Sequence, residues 1–180
     1  MSLPTPDTPE EIVWQGRFIA AKTRGSWEYV SRTRGIGAAV ILAIDGGHVL
    51  LVEQYRVPLG RNCLELPAGL IGDEEGAEGE DHLSAAGREL EEETGYRASR
   101  LEDMGSFYSS PGMVSESFTL VRASGLTRIH EGGGVEGENI TVHRVPLDTL
   151  PRFIAAKRAE GCGVDVRMLM LLGQGIVAGE

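Results

Sequence analysis

Long hydrophobic runs are missing from this chain of 180 residues. None approaches the roughly 20 apolar residues that a helix needs to cross a bilayer, so no membrane-spanning helix is expected. The opening Met1-Ser2-Leu3-Pro4 lacks the basic-then-apolar pattern of a secretory leader, which makes a cytoplasmic location the expectation. Cysteine is scarce as well. Cys63 and Cys162 are far apart, with no second Cys or His at metal-ligand spacing, and they read as reduced thiols rather than a disulfide or a zinc site. Basic residues are outnumbered, 17 Lys and Arg against 27 Asp and Glu, for a formal net charge of -10. A surface so acidic disfavours the phosphate backbone of nucleic acid as a partner. A phosphorylated small molecule remains open if a divalent cation offsets the repulsion.

What is present suits one folded unit. Hydrophobic residues make up 41%, which argues against disorder along most of the chain. Residues 1–11, with three prolines, read as a flexible tail. Residues 12–34 alternate, as in Trp27-Glu28-Tyr29-Val30-Ser31, and predict a small N-terminal antiparallel sheet. Residues 35–180 form the main domain. Its first strand is the apolar run Ile36–Ile44, turned by Asp45-Gly46-Gly47 into a second, Val49–Tyr55. Leu64–Pro67 is a short strand stopped by proline. A helix follows over Asp81–Thr94, with Asp81 as N-cap, Gly95 as stop and Leu83, Ala86 and Leu90 as its apolar stripe. Further strands are expected at Met104–Tyr108, Phe118–Ala123 and Ile140–Val145, and helices at Leu147–Ala159 and Val166–Val177. This order predicts an α/β domain with helices on both faces of a mixed sheet. The Gly- and Glu-rich segments Gly72–Glu80 and Glu131–Glu138 read as mobile, solvated loops.

The chemistry concentrates on that helix. Glu89, Glu92 and Glu93 stand at i, i+3 and i+4, so three carboxylates share one helical face. Arg88, four residues before Glu92, can pair with it and leave Glu89 and Glu93 as the freer pair. Hard cations such as Mg²⁺ prefer carboxylate oxygen and keep waters and substrate phosphates as their other ligands. That ligand set suits attack of water on a phosphoryl centre. The bland alternative is a solvated acidic face.

Context decides between them. Arg88-Glu89-Leu90-Glu91-Glu92-Glu93-Thr94-Gly95-Tyr96 resembles the core signature of the Nudix hydrolases, and Glu80 stands eight positions before Arg88 as that signature requires. The resemblance implies the Nudix fold, an α/β/α sandwich, and hydrolysis of a pyrophosphate bond with Mg²⁺, or Mn²⁺ in its place. It implies that Glu89, Glu93 and the Ala68 carbonyl hold metal, with Glu92 a further ligand or the partner of Arg88. One departure is plain. The signature's glycine belongs six positions before the upstream glutamate, where Glu74 stands, whereas Gly69 lies eleven before Glu80. A five-residue insertion in the preceding loop accounts for this, and leaves Glu75 and Glu80 as alternatives for the upstream role.

Resemblance to the ADP-ribose pyrophosphatase branch extends over Trp14–Val177. It is carried by Leu51–Pro58, by Leu64–Gly69 and by Ser109–Glu116, where Pro111 and Gly112 follow Gly95 at the branch's spacing. Trp27, Glu28 and Arg32 match an N-terminal strand whose tryptophan stacks on adenine, with Phe18 as the opposing ring. Core or interface roles for the two aromatics are the alternative. The branch pairs these N-terminal sheets across a homodimer. Arg56 suits a pyrophosphate oxygen through its planar fork. The branch's general base maps to Glu136 or Glu138, with Glu138 slightly preferred. The reaction so implied takes ADP-ribose to AMP and ribose 5-phosphate. GDP-mannose or another nucleotide sugar is the nearest alternative, and a non-catalytic nucleotide-sensing module the more distant one. His82, His130 and His143 read as structural or exposed.

Overall fold

Asp45-Gly46-Gly47-His48 makes a two-residue hairpin, with Gly46 and Gly47 at φ 54° and 73° and Asp45 opposite His48. Both central residues need positive φ, so glycine at each is what a two-residue hairpin asks for. A computed structural model describes residues 4–72, 79–135 and 137–178, with side chains as far as residue 173. In chain order its elements are β1 (Glu10–Gln15), β2 (Ile19–Arg24), β3 (Trp27–Arg32), β4 (Ala38–Asp45), β5 (His48–Arg56), a 3-10 turn Val57–Leu59, β6 (Arg61–Glu65), β7 (Ala68–Leu70) and α1 (His82–Thr94). There follow β8 (Tyr96–Tyr108), β9 (Ser117–Arg128), β10 (Thr141–Pro146), α2 (Leu150–Ala159), β11 (Gly163–Val164), a 3-10 turn Val166–Met168 and α3 (Leu169–Ala178).

The main sheet runs β11-β6-β5-β4-β9-β8, with β10 added to β5 and β7 to β4. It is mixed, since β4 and β9 are parallel, as are β11 and β6, while the other neighbours are antiparallel. β4 and β5 pair only next to their hairpin, at Ile44–Val49 and Asp45–His48. Beyond it β4 turns to β7 and β9, whereas β5 turns to β6 and β10. The sheet therefore opens like a split ribbon, and the site lies in the split.

β4 alternates between two cores, as a strand buried on both faces must. Ala39, Ile41 and Ala43 join Leu50, Ala86, Leu90, Val121 and Ala123 under α1. Val40 joins Val49, Leu51, Leu64, Leu66, Leu120, Leu150, Ile154 and Met168 on the other side. Alanine on both partners brings α1 close to β4, which is how its carboxylates reach the sheet. The helix begins where expected. The Asp81 carboxylate accepts from the Leu83 and Ser84 amides at 3.0 and 3.2 Å, a cap that contributes about 1 kcal/mol. It ends at Gly95, φ 76°, whose amide returns to Glu91 O at 2.8 Å.

Several expectations shift by a few residues. The expected strand at Met104 begins at Tyr96 and spans 13 residues, because β8 pairs with β9 along most of its length. β7 and β11, of three and two residues, are too short to show a period in the sequence. β1 starts at Glu10, inside the segment read as tail. Lys22 reaches the Glu10 carboxylate at 2.7 Å and Tyr29 donates to it, which anchors the strand. The three-stranded sheet β1-β2-β3 docks on the body through Val30, whose amide donates to Met113 O and whose carbonyl accepts from Ser115 N. Of the loop read as mobile at Gly72–Glu80, residues 73–78, with Glu74 and Glu75, lie outside the described residues. No helix among the described residues is long and apolar enough to cross a membrane.

One polar knot ties four elements on the far side. The half-buried Glu53 of β5 receives hydrogen bonds from Asn62 of β6 (3.1 Å) and His143 of β10 (2.9 Å), and an ion pair from Lys157 of α2 (3.0 Å). Burial alone would raise its pKa, but those partners outweigh it and hold the group at about 2. A carboxylate depressed in the fold stabilises it above its ordinary pKa of 4.5, and that contribution fades as pH falls toward 2. Glu53→Gln is expected to lower the melting temperature at pH 7 by on the order of 5 °C. The gap from wild type should close between pH 4.5 and 2 in a series of thermal melts; a gap that ignores pH would refute the electrostatic account.

Candidate active site

The cleft in the split ribbon has a volume of about 550 Å³ and two unlike walls. α1 and the loop before β10 supply carboxylates, Glu89, Glu93 and Glu138. β3, β5 and the turn after β11 supply guanidinium groups, Arg32, Arg56 and Arg167, each paired with a carboxylate that also lines the cleft, Glu116, Glu65 and Asp165. Ala68 and Gly69 of β7 form the floor beneath the carboxylates.

Glu93 is the most constrained of these. It is 4% exposed, and its Oε2 accepts from the Ala68 amide at 3.0 Å, so the helix is tied to β7 through a side chain. Burial is the main force raising its pKa, to about 8. The Ala68 amide opposes that rise, Glu89 and Glu138 add to it, and Arg56 opposes it again. Beside it Glu89 lies so close over Gly69 that a Cβ at that position would overlap the carboxylate. Gly69 is needed here for space, not for backbone freedom.

Arg88 does more than expected. It bonds Glu92 at 3.2 Å, four residues on, as anticipated, but also Glu89 at 3.0 Å and Glu80 at 3.3 Å. Glu89 is therefore not one of a freer pair. The correction has a simple cause: a guanidinium with five N–H donors spans carboxylates of the helix and of the loop before it. Arg88 and Glu92 themselves line a neighbouring surface with Glu91, His130 and Gly134.

The glycine loop is tied to α1 by its main chain. Gly133 and Gly134 donate to Glu93 O (2.8 Å) and Glu92 O (3.0 Å), and Ile129 N reaches Gly95 O (2.8 Å). These are terminal carbonyls of α1, which a helix cannot satisfy internally. Gly132 sits at φ 73° against Thr94, where any side chain would collide with main chain. The loop is thus a cap, and it delivers Glu138, which accepts from the Val135 amide at 2.9 Å while lining the cleft. Glu136 lies outside the described residues.

Of the substrate-binding candidates, Arg32 and Arg56 line the cleft, Arg32 paired with Glu116 at 2.6 Å. Phe18 lies in an adjoining recess of about 160 Å³ that shares Arg32 and Leu70 with the cleft, under the Arg17 guanidinium. Trp27 and Glu28 are exposed on β3, and Pro111 and Gly112 are exposed in the turn that docks on Val30. None of these four lines the cleft. The sequence reading missed Glu65, Asp165, Arg167 and Glu116. Asp165-x-Arg167 gave only a short Asx-type turn signal, at the start of a segment read as helix. His143 and His82 pair with Glu53 and Asp103, as structural histidines do. Both cysteines are free thiols, Cys63 buried and pushed up to about 12 by desolvation and by Glu65.

The donor set fits a hard divalent cation. Carboxylate oxygens face one space, and their mutual repulsion is what a cation relieves. Among the described residues no three carboxylate, imidazole or thiol groups are gathered tightly enough to cage an ion unaided. Main-chain, water or substrate oxygens would have to complete its shell, the usual situation for Mg²⁺.

A family model described as "NUDIX domain" matches residues 33–161. The chain is 38% identical over 124 residues to a methanol dehydrogenase activator from Bacillus methanolicus and 37% identical over 123 residues to an ADP-ribose pyrophosphatase from Bacillus subtilis (strain 168). These alignments take in 68% and 67% of this chain, which spans 64% of the length of each relative. A crystal structure titled as an ADP compounds hydrolase shares the fold, with a TM-score of 0.68, 24% identity and coverage of 99% of this chain and 98% of that one.

The burial of Glu93 sets a test independent of catalysis. With no cation present its folded pKa is about 8, above the ordinary 4.5, so unfolding releases a proton between those values. Its stabilising protonated form is fully present below pH 4.5 and is lost as pH rises through 8. In EDTA, Glu93→Gln, whose amide oxygen can still accept from Ala68, should melt above wild type at pH 8.5. The difference, on the order of 5 °C, should shrink as pH is lowered to 5. A Glu93→Gln protein less stable than wild type at every pH would contradict the assignment.

Proposed function

Because the chain belongs to the NUDIX domain family, we propose that it is a divalent-cation-dependent pyrophosphatase that hydrolyses ADP-ribose to AMP and ribose 5-phosphate. The observation that carries this reading is the two-walled cleft, with Glu89, Glu93 and Glu138 on one side and Arg56 on the other. A nucleoside diphosphate derivative carries its charge at the centre of the molecule, and such a cleft grips it there from both sides. The name of the Bacillus subtilis relative supports ADP-ribose as the substrate.

Glu89, Glu93 and the Ala68 carbonyl are the groups that would hold Mg²⁺, with Mn²⁺ as a substitute and Glu92 as a further ligand. When bound, the cation supplies neutralisation of the pyrophosphate and a more acidic water. The chain's own groups do the rest. Arg56 holds a phosphate oxygen with N–H donors not spent on Glu65. Glu138 accepts the proton of the attacking water. The new P–O bond forms from that water as the bridging P–O bond breaks, and the leaving phosphate takes up a proton in turn. Glu138 suits the task because it is exposed to the cleft and hung from a loop fixed to α1.

We also propose a cytoplasmic homodimer. Ile12, Val13, Trp14, Phe18, Ile19 and Trp27 leave an apolar surface on the N-terminal sheet, which a second copy would cover. On that reading Trp27 and Phe18 belong to base recognition or to the dimer contact.

Two measurements test the proposal. Hydrolysis of a panel of ADP-ribose, GDP-mannose and other nucleotide sugars, compared as kcat/KM with Mg²⁺, should favour ADP-ribose. A clear preference for GDP-mannose would move the substrate and keep the chemistry, and binding without products would point to a sensing module. In the second, Glu93→Gln is expected to lose about 10²–10³-fold in kcat, and Gly69→Ala to lose activity by displacing Glu89. Wild-type turnover in either variant would remove the carboxylate wall from the mechanism.

A further inference from the structure

Two arginines share one buried carboxylate at the edge of the cleft. Arg56, at the end of β5, donates Nε and Nη2 to the two oxygens of Glu65, each at 2.7 Å. Arg167 reaches Glu65 Oε2 with Nη2 at 3.5 Å. Its Nε and Nη2 also grip Asp165 at 2.6 and 2.9 Å, and its guanidinium lies 5.7 Å from the centre of the Phe118 ring. The side chain of Glu65 is 4% exposed, that of Arg167 18% and that of Arg56 40%. Exposure therefore rises outward from carboxylate to cleft.

The quartet balances its own charge, two cations against two anions. Such buried ion pairs contribute little net stability compared with apolar packing, because desolvation offsets the attraction. What they do supply is orientation. A guanidinium has five N–H donors in a rigid fork. The bidentate bond to Glu65 uses two of Arg56's and fixes the plane of the rest. Arg167 is fixed likewise by Asp165 and Phe118, and both arginines line the cleft that holds the carboxylate wall. What the neutral cluster can offer an anion is the N–H donors not spent on Glu65 and Asp165, held in fixed planes at the cleft edge.

We propose that Glu65, steadied by the Asp165–Arg167 pair, is a positioning residue that aims Arg56 at the substrate's pyrophosphate, and that Arg167 is a second phosphate-binding cation of the same cleft. The ligand's identity rests on the pyrophosphatase reading; the geometry of the clamp does not.

The test uses α,β-methylene ADP-ribose, which cannot be cleaved at the central bridge, in calorimetric titrations with Mg²⁺, alongside ADP-ribose turnover. Arg56→Ala, Glu65→Gln and Arg167→Lys should each weaken binding by about 10- to 100-fold, the effect of losing charge-assisted hydrogen bonds. Their KM values should rise more than their kcat values fall. Glu65→Gln combined with Arg56→Ala should bind no more weakly than Arg56→Ala alone, because Glu65 acts through Arg56. Additive losses in that double variant or wild-type affinity in Arg167→Lys would each overturn the clamp, whereas no binding of the analogue to wild type would overturn the ADP-ribose reading, and the same series is then run with the preferred substrate of the panel. If Glu65→Gln does not fold, Arg167→Lys, which keeps the charge but loses the fork, decides alone. Wild type that binds the analogue but never hydrolyses ADP-ribose refutes the pyrophosphatase reading and leaves the clamp standing; turnover with unperturbed variants does the reverse.

Discussion

Gly133 and Gly134 give their amides to the carbonyls of Glu93 and Glu92, and this main-chain contact fixes the last turn of α1 against the loop before β10. The site depends on it. The end of a helix carries unsatisfied carbonyls and partial negative charge, an awkward place to gather carboxylates. Backbone N–H groups aimed at those carbonyls relieve both problems without spending a side chain. Only glycine can approach so closely, since a Cβ at Gly132 or Gly95 would strike the opposing main chain. One contact thus sets the distance between the carboxylates of the helix and Glu138 on the loop.

The second constraint is electrostatic. Glu93 is buried beside two other carboxylates, and the Ala68 amide only partly compensates. An arrangement this unfavourable for a bare carboxylate is favourable once positive charge arrives. Fold stability and readiness for a cation pull in opposite directions at this residue.

The helix α1 and the carboxylates it carries were legible in the sequence because a helix of 13 residues repeats its pattern several times and carries its own start and stop signals, Asp81 and Gly95. The Asp45–His48 hairpin was legible for a similar reason: both its glycines are demanded by φ. The tie of the acidic loop to α1 was not legible because glycine serves two purposes, freedom and close approach, and only neighbours distant in sequence tell them apart. Arg88 binds Glu80 and Glu89 as well as Glu92, which i, i+4 spacing could not reveal. Glu65 and Arg167, 102 residues apart, meet only because a two-residue parallel pairing joins β11 to β6. A pairing that short has no period to detect.

That pairing, Gly163 to Cys63 and Val164 to Leu64, has a consequence for how such a protein can change. The segment matched by the family model ends at residue 161, just before β11 begins. Asp165 and Arg167 thus follow the stretch that the family model matches, on a segment that β11 joins to the main sheet, and they line the cleft. Arg56 and Glu65 lie inside the matched stretch, so the four-residue cluster at the cleft edge is drawn from both sides of residue 161. Substitution at Asp165 or Arg167 alters the lining of the cleft while the carboxylate helix and its glycine cap keep their own residues.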